Sequence, residues 1–218
     1  MLNTIYNREN PIIAWWSGGV TSAVACAITI QLFGLEYVRI VFIDTCNEDD
    51  DTYRFKADCE KWYGKEIETI SRIGTEYNNI KEVWYKFKSL NVAHGAICSS
   101  ELKRTMRERF QRENKYSYQV FGFDINEPKR AHSMTMQYEG ANPIYPLLLF
   151  GYSKKKCIEI LTDNNIKIPR AYALGLNNNN CLKTGCVQGG IGYWQMIRVI
   201  MPEVFSEMAQ IEHELTNL

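Results

Sequence analysis

Two kinds of segment, which differ in their pattern of apolar and polar residues, alternate along the first third of this chain. Short runs rich in β-branched and aromatic residues are followed by longer segments with few helix breakers. Such short apolar runs are typical of strands buried on both faces, and the longer segments are typical of helices. The repeat therefore predicts βαβ units with a parallel sheet. The predicted elements are strands at Pro11–Trp16, Tyr37–Ile43 and Glu66–Ile70 and helices at Ala23–Phe33 and Thr52–Tyr63, the second ending at Gly64.

The rest of the chain carries clearer helix signals than strand signals. Tyr118–Phe123 is rich in β-formers and predicts a fourth strand. In Asn78–Leu90 the large apolar side chains recur at three- and four-residue steps, so we interpret Trp84 and Phe87 as core residues of a helix. Further helices are predicted at Ser153–Asn164, Ile191–Ile200 and Pro202–Leu215.

Length and composition are those of one globular domain. The chain has 218 residues, 45% of them hydrophobic and 23% charged, with a formal net charge of zero. No apolar run approaches the ~18 residues of a membrane span, and no secretion signal is recognisable, so we expect a cytoplasmic protein without a membrane partner. We predict a single Rossmann-like α/β domain over residues 1–218, with about five parallel strands flanked by helices. Its core is expected over residues 11–165, and a cysteine-containing flap with closing helices over residues 166–218.

The stretch between the first strand and the first helix has the composition of an anion-binding loop. Adjacent glycines let a ligand come close to the backbone, and the N–H groups and dipole of the following helix attract phosphate. Three hydroxyl side chains add donors. An ordinary Gly-Gly turn is the alternative, while the spacing excludes a P-loop and a Gly-x-Gly-x-x-Gly dinucleotide loop. The predicted nucleotide contacts are Ser17, Gly18, Gly19, Thr21 and Ser22.

A carboxylate follows the second predicted strand. Asp44 stands at the point where open α/β sheets place their ligands. Its side chain suits a ribose hydroxyl, an amino group or a magnesium ion. We interpret the acidic run Asp49–Asp51 instead as a solvated loop and helix start, where carboxylates interact well with the dipole.

The loop motif resembles a known family. Ser-Gly-Gly-x-x-Ser is similar to the pyrophosphate-binding loop of the ATP pyrophosphatase (PP-loop, adenine nucleotide α-hydrolase-like) superfamily. Its members include adenylating synthetases, tRNA-thiolating enzymes and phosphoadenosine-phosphosulfate reductases. The resemblance covers roughly residues 11–200 and implies a HUP-type fold, an adenine nucleotide ligand, and ATP with Mg²⁺. Members commonly carry Lys-Asp where this chain has Val20-Thr21, so charge compensation must come from elsewhere or from a metal ion.

Later segments are similar to the phosphosulfate-reductase branch. Phe42-Ile43-Asp44-Thr45 resembles the Asp-Thr-Gly motif of the branch, and Tyr63-Gly64 resembles its helix end. Cys46 stands where the branch usually has glycine, which implies a different loop backbone.

The same resemblance implies roles for three basic residues. Lys103 and Arg104 match a basic pair that faces the anionic end of the nucleotide, and Arg130, with Gly122 and Glu127, approximates a phosphate-binding pattern. Each has an alternative. Lys103 and Arg104 lie on a basic helix that Ser99 or Ser100 is expected to cap. Such a run of basic residues is typical of a solvated face. Arg130 can simply pair with Glu127 at helical spacing. The later arginines of the basic helix are candidate contacts to RNA or DNA phosphate.

The chain contains seven cysteines, an odd number that favours thiols or metal ligands over disulfides in a cytosolic protein. Cys181 and Cys186 have the spacing of structural zinc ligands, and Cys98 precedes the basic helix. We expect these three to converge on a metal, an iron–sulfur cluster rather than zinc, as the resemblance to tRNA-thiolating enzymes implies. Free thiols are the alternative. The cysteines expected in helix cores are Cys26, Cys59 and Cys157.

Taken with the resemblance, the motifs imply an enzyme that binds ATP and adenylates an acceptor. The acceptor classes are tRNA, DNA or a small molecule, with sulfur transfer from a sulfur-donor protein as a further expectation. One alternative is a phosphosulfate-reductase-like enzyme acting on an activated sulfonucleotide, although no cysteine follows Cys186 to act as the usual thioredoxin-dependent nucleophile. The other alternative is a non-catalytic nucleotide-sensing or nucleic-acid-binding subunit.

Overall fold

The predicted alternation of strands and helices is confirmed. The structure is a computed structural model that describes residues 6–92, 95–137 and 140–217. The strands are β1 (Ile12–Trp16), β2 (Val38–Ile43), β3 (Ile67–Ile70), β4 (Asn91–Val92), β5 (Gly95–Ala96), β6 (Tyr118–Val120) and β7 (Pro143–Ile144). The α-helices are α1 (Val20–Phe33), α2 (Asp50–Tyr63), α3 (Ile80–Phe87), α4 (Thr105–Glu113), α5 (Pro128–Gln137), α6 (Pro146–Leu149), α7 (Lys154–Asp163), α8 (Arg170–Ala173), α9 (Ile191–Ile200) and α10 (Pro202–Thr216).

The main sheet has five strands in the order β3-β2-β1-β6-β7. Strand β1 pairs in parallel with β2 and with β6, and β6 pairs in parallel with β7. All five residues of β1 are buried, because a central strand is covered on both faces. This explains why its sequence is an unbroken apolar run. The predicted α/β fold with a parallel sheet of about five strands is confirmed.

Helix α1 begins at Val20, directly after the two glycines, rather than at the predicted Ala23. Gly19 is its N-cap residue, with an extended backbone at φ −93° and ψ 157°. Thr21 and Ser22 therefore lie in the first helical turn, where backbone N–H groups have no partner within the helix.

Caps mark three helix ends, among them the predicted end of α2 at Gly64. The Asn79 side chain accepts hydrogen bonds from the N–H groups of Lys81 and Glu82 at the start of α3. Ser153 accepts from Lys156 at the start of α7. Gly64 follows α2 with φ +65°, the left-handed conformation that glycine adopts without strain.

The expected serine cap of the basic helix is wrong. Residues Ser99–Arg104 form a π-helical turn that leads into α4, and its N-cap position is Cys98, without a side-chain cap hydrogen bond. Cys98 already has helical backbone angles, so Ser99 and Ser100 lie inside the helix. A side chain caps best from an extended residue before the first turn.

The chain divides into two compact units that interleave along the sequence. The loop unit comprises residues 1–42, 53–69 and 110–169, and the cysteine unit comprises residues 43–52, 70–109 and 170–218. This division does not follow the predicted boundary between core and flap, so the single domain over 1–218 stays a prediction. Within the described residues, no helix is both long and apolar enough to cross a membrane.

Each unit has its own aromatic core. In the loop unit, Trp16 packs edge-on against Phe42, with ring centroids 5.1 Å apart, and lies 5.8 Å from Phe55. In the cysteine unit, the buried Trp84 packs within a cluster that joins α3 to α10. Trp84 is a core residue as predicted, but Phe87 is 39% exposed, so its predicted place in the core is wrong. Phe87 is the last residue of α3 and lies under the ammonium of Lys86; helical periodicity weakens as a helix ends.

Candidate functional site

The predicted anion-binding loop, residues 17–22, lies in the loop unit and is called the phosphate loop below. One hydroxyl group determines its conformation. Ser22 Oγ accepts hydrogen bonds from the backbone N–H and the hydroxyl of Ser17, each at 3.0 Å, and donates to the Gly19 carbonyl at 2.9 Å. Ser22 is only 2% exposed, whereas Ser17 is exposed. The hydroxyl of Ser22 therefore shapes the loop, and the role of Ser22 as a nucleotide contact stays a prediction.

The two glycines of the loop have different roles. Gly18 has φ +80°, a left-handed conformation that other residues adopt only with strain. Gly19 has an ordinary extended conformation and caps α1 without a side chain. The first turn of α1 contains no acidic residue, so no carboxylate in that turn opposes an anion at the helix N-terminus. This geometry suits phosphate.

A third glycine, Gly122, packs against the backbone of the loop. It follows β6, and the backbone of Ser22 lies so close to it that a Cβ at Gly122 would be 2.6 Å from Ser22 Cα. Sequence reasoning placed Gly122 in a family pattern but missed this contact. A glycine inside the predicted strand Tyr118–Phe123 was the available signal, because a strand glycine often marks a close approach of another backbone.

Arg130 also belongs to the loop unit, on α5. Its guanidinium forms an ion pair with Glu127 and lies 4.7 Å from the centroid of the Phe123 ring, and its side chain is 66% exposed. The helical-spacing pair foreseen as the alternative is thus present. Its role as a phosphate ligand stays a prediction.

In the cysteine unit, Asp44 continues from β2 and is 8% exposed. Its Oδ1 accepts from the Cys46 N–H at 2.7 Å, and its carbonyl accepts from the Ser71 hydroxyl at 2.7 Å. Cys46 has φ +54°, the region that favours glycine.

In the cysteine unit, an ion pair joins a buried carboxylate to a half-exposed ammonium. Glu48 has a side chain that is 2% exposed, and it accepts from the Lys103 ammonium at 3.4 Å and the Thr45 hydroxyl at 3.0 Å. The Glu48 carboxylate raises the pKa of Lys103, so Lys103 stays charged. Arg104, the next residue, is exposed.

The three singled-out cysteines, Cys98, Cys181 and Cys186, interact electrostatically in this unit. Burial raises the pKa of Cys181 to about 12, and the charges of Glu48, Cys186 and Cys98 add to the shift while Lys103 opposes it. Burial likewise raises the pKa of Cys98, and Cys186 adds to that shift. Within residues 6–92, 95–137 and 140–217, however, no three His, Cys, Asp or Glu side chains are close enough to hold a metal ion. The thiols neighbour one another without forming a ready metal site.

Long-range hydrogen bonds hold the cysteine segment (residues 170–186) on the loop after β2. The Asn47 amide donates to the Thr184 hydroxyl at 2.6 Å, and the Asn179 amide donates to the Thr52 hydroxyl at 2.9 Å, all four side chains being buried. Arg170 pairs with Asp49 at 2.6 Å. Asp49 is 4% exposed, so the expectation that the whole acidic run is solvated is wrong at this residue.

The chain was compared with known proteins. No family model and no curated protein matches it. It resembles phosphoadenylyl-sulfate reductase from Candida auris, solved as a phosphate complex, with a TM-score of 0.57 and 17% identity over 78% of this chain and 81% of that one. It also resembles the U34-tRNA thiolase NcsA from Methanococcus maripaludis, solved with its 4Fe–4S cluster, with a TM-score of 0.54 and 11% identity over 98% of this chain and 74% of that one. A weaker likeness, with a TM-score of 0.47 and 13% identity over 88% of this chain and 83% of that one, is to NMN synthetase from Francisella tularensis.

Identities this low establish a common fold and leave the chemistry open. The fold expected from the phosphate-loop resemblance is confirmed, since a reductase and a thiolase with this architecture both align over most of the chain. The chain therefore has the fold that the superfamily resemblance predicted.

Proposed function

We propose that this protein is a PP-loop ATP pyrophosphatase that binds ATP at Ser17–Ser22 and adenylates an acceptor. The observation that carries the proposal is the loop itself. Its backbone is fixed by the Ser22 hydroxyl, and it leads into a fourteen-residue helix with no acidic residue in the first turn. Backbone N–H groups held in this way form a preorganised site for phosphate oxygens.

The proposed chemistry needs no covalent nucleophile from the protein. An oxygen of the acceptor attacks the α-phosphorus of ATP, the bond to the β-phosphate oxygen breaks, and pyrophosphate leaves. The N–H groups at the start of α1 stabilise the negative charge on the departing pyrophosphate. Magnesium, when bound to ATP, neutralises further phosphate charge.

Asp44, Lys103, Arg104 and Arg130 are proposed as further contacts to the nucleotide or to its magnesium ion. Lys103 carries the charge that such a role needs, because Glu48 raises its pKa. Arg104 is exposed, as an anion-binding side chain must be. Arg130 supplies a planar fork that suits phosphate oxygens.

Sulfur transfer to a nucleobase or small molecule is the finer proposal. The neighbouring thiols of Cys98, Cys181 and Cys186 support it, because thiols with shifted pKa values beside a charged lysine are one mark of a functional site. An iron–sulfur cluster stays a prediction, since no three ligand side chains among the described residues have metal-binding geometry. No step of the proposed reaction depends on it. The proposed partners are an adenine nucleotide, an RNA, DNA or small-molecule acceptor, and a sulfur-donor protein.

The test is incubation of anaerobically purified protein with α-labelled ATP and cellular RNA or DNA. We expect AMP and pyrophosphate, with label transiently on the acceptor. Ser17→Ala and Gly19→Ala should each weaken ATP binding, the first through a lost hydroxyl donor and the second through a Cβ near the phosphate path. Losing a charge-assisted hydrogen bond costs about 1.5–3 kcal/mol.

Other results would point elsewhere. Unchanged ATP affinity in both folded variants contradicts the phosphate-loop assignment. Release of sulfite from a phosphosulfate with thioredoxin would identify a reductase instead. Tight ATP binding without turnover, in the presence of RNA, DNA and small-molecule acceptors, would favour a nucleotide-sensing subunit.

A further inference from the structure

We propose that Gly122 is a positioning residue for the phosphate loop. The inference rests on the proposed function, in which that loop binds the pyrophosphate part of ATP. Gly122 leaves the space into which the backbone of Thr21 and Ser22 fits. It thereby sets the direction of the N–H groups at the start of α1, although it lies about a hundred residues away in sequence.

The contact is between backbone atoms. A Cβ built on Gly122 would lie 2.6 Å from Ser22 Cα, 2.7 Å from Ser22 N and 3.0 Å from the Thr21 carbonyl carbon, whereas an ordinary contact begins at 3.4 Å. Backbone atoms cannot rotate away as the end of a flexible side chain can. Any side chain at residue 122 therefore has to displace either the loop or its own segment.

Glycine is needed here for space and not for conformation. Gly122 is absent from the residues with positive φ, which include Gly18 and Gly64. A left-handed backbone is therefore not the reason for glycine at this position. The close approach is thus the physical reason for glycine at this position.

The segment around Gly122 is held too firmly to retreat. On one side, the Phe121 N–H donates to the Ile144 carbonyl at 3.1 Å and so extends the pairing of β6 with β7. On the other side, Asp124 is buried and its carboxylate accepts from the Lys154 N–H at 3.0 Å. An added Cβ at residue 122 would therefore displace the loop and not the segment around Gly122.

A shift of Ser22 would spread through the whole loop. Its hydroxyl bonds to both Ser17 and Gly19, so moving its Cα by several tenths of an ångström also moves those residues. Misplacement of a positioned group by about 1 Å can lower a reaction rate roughly 100-fold. We expect a smaller displacement and a loss of at least about tenfold in affinity.

Gly122→Ala is the test, with Gly192→Ala as the matched control. Gly192 has no atom within 4 Å of a built Cβ and lies in α9, so its alanine variant adds the same methyl group without a clash. Affinities are measured by calorimetry for ATP, inorganic pyrophosphate and AMP. Gly122→Ala should lose ATP and pyrophosphate affinity by the same factor, at least tenfold, with AMP binding unchanged. Gly192→Ala should bind all three as the native protein does.

A second measurement needs no ligand. Hydrogen exchange of the amides at residues 17–22 should accelerate at least tenfold in Gly122→Ala and remain native in Gly192→Ala. If Gly122→Ala alone is too unstable, it is combined with Gly192→Ala, because alanine is more favourable than glycine inside a helix and the second change raises the stability of the fold.

The outcomes separate the two proposals. Native exchange in residues 17–22 together with native pyrophosphate affinity in Gly122→Ala overturns the positioning role. Equal losses for AMP and pyrophosphate also overturn it, since they indicate a general structural defect. If the native protein binds no pyrophosphate, the proposed function fails, and the exchange measurement still decides whether Gly122 orders the loop.

Discussion

The phosphate loop and the cysteine segment are held in place in opposite ways. In the loop, Ser22 bonds to residues no more than five positions away. In the cysteine segment, side-chain bonds join residues 119 to 137 positions apart, including Asn47 to Thr184 and Arg170 to Asp51. The loop carries most of its hydrogen bonding within its own motif, whereas the segment depends on a distant part of the chain.

This difference explains why a motif predicts one region better than the other. A loop whose hydrogen bonds are local can be recognised from its short sequence between a strand and a helix, although its fit against Gly122 depends on the fold. The spacing of Cys181 and Cys186 says little about where their thiols lie, because Asn47, Thr52 and Asp49 determine that position. Four predictions test the contrast.

The largest effect is expected for Ser22→Ala. The variant loses three loop hydrogen bonds, each with a net value of about 0.5–1.5 kcal/mol, which is about 1.5–4.5 kcal/mol of local stability. We expect about 2–3 kcal/mol of this loss to weaken pyrophosphate binding, because the free loop must be ordered again when the ligand binds. This corresponds to roughly 30- to 150-fold in Kd, measured by calorimetry. Ser153→Ala, which removes only the cap of α7, should leave that Kd unchanged. A native Kd in Ser22→Ala would show that the hydroxyl does not organise the loop.

Asn47→Ala should destabilise the cysteine unit. It leaves the buried hydroxyl of Thr184 without its 2.6 Å donor, and such a loss costs about 1–3 kcal/mol in free energy of unfolding. Urea unfolding and limited proteolysis of residues 174–190 measure the change. In a double-mutant cycle with Thr184→Val, the combined loss should be smaller than the sum of the single losses. Additive losses would mean that the two side chains are not coupled.

Alkaline pH should weaken the loop unit through its buried thiols. Burial raises the pKa of both Cys59 and Cys157 from 9.0 to about 12, with Asp124 adding to the shift of Cys157. The folded protein therefore keeps protons that the unfolded chain releases. This stability is fully present below pH 9 and is lost as the pH rises towards 12, at up to about 1.4 kcal/mol per pH unit for each thiol.

Urea unfolding between pH 8 and pH 10.5 checks this dependence. Cys157→Ala should show a shallower fall with pH than the native protein, because one raised pKa has been removed. Parallel pH profiles for the two proteins would contradict the assignment for Cys157.

The smallest effect is expected for Arg170→Ala. The Arg170 side chain is 58% exposed and Asp49 only 4%, so solvent screens the pair in part, and we expect a loss near the upper end of the ~0.2–1 kcal/mol of exposed ion pairs. Proteolysis of residues 174–190 should accelerate less than in Asn47→Ala. Lys156→Ala, which removes a half-exposed pair with Glu159 in the loop unit, is the control and should not change it. A larger effect for Arg170→Ala than for Asn47→Ala would show that charge, and not buried hydrogen bonding, holds the segment.

The phosphate loop and its helix were predictable because their signals are local. Apolar runs mark β1 and β2, and the side chains of Asn79 and Ser153 cap the helices that follow them. The burial of Cys26, Cys59 and Cys157 follows from their positions in helices. The short strand β7 and the helix α5 were missed. Two residues of β7 carry no periodic pattern, and its pairing with β6 is a tertiary event.

By itself, the sequence determined the alternation of strands and helices, the presence of a Ser-Gly-Gly loop between the first strand and the first helix, and the order in which these follow one another. Those properties depend on hydrophobic period and on residues close together in the chain. Only the tertiary structure decided that Gly122 touches Ser22, that Glu48 pairs with Lys103, and that Asp49 is buried under Arg170. Each of these contacts joins positions 55 to about 120 residues apart, and no local pattern encodes such a distance, because packing of whole elements selects which side chains meet.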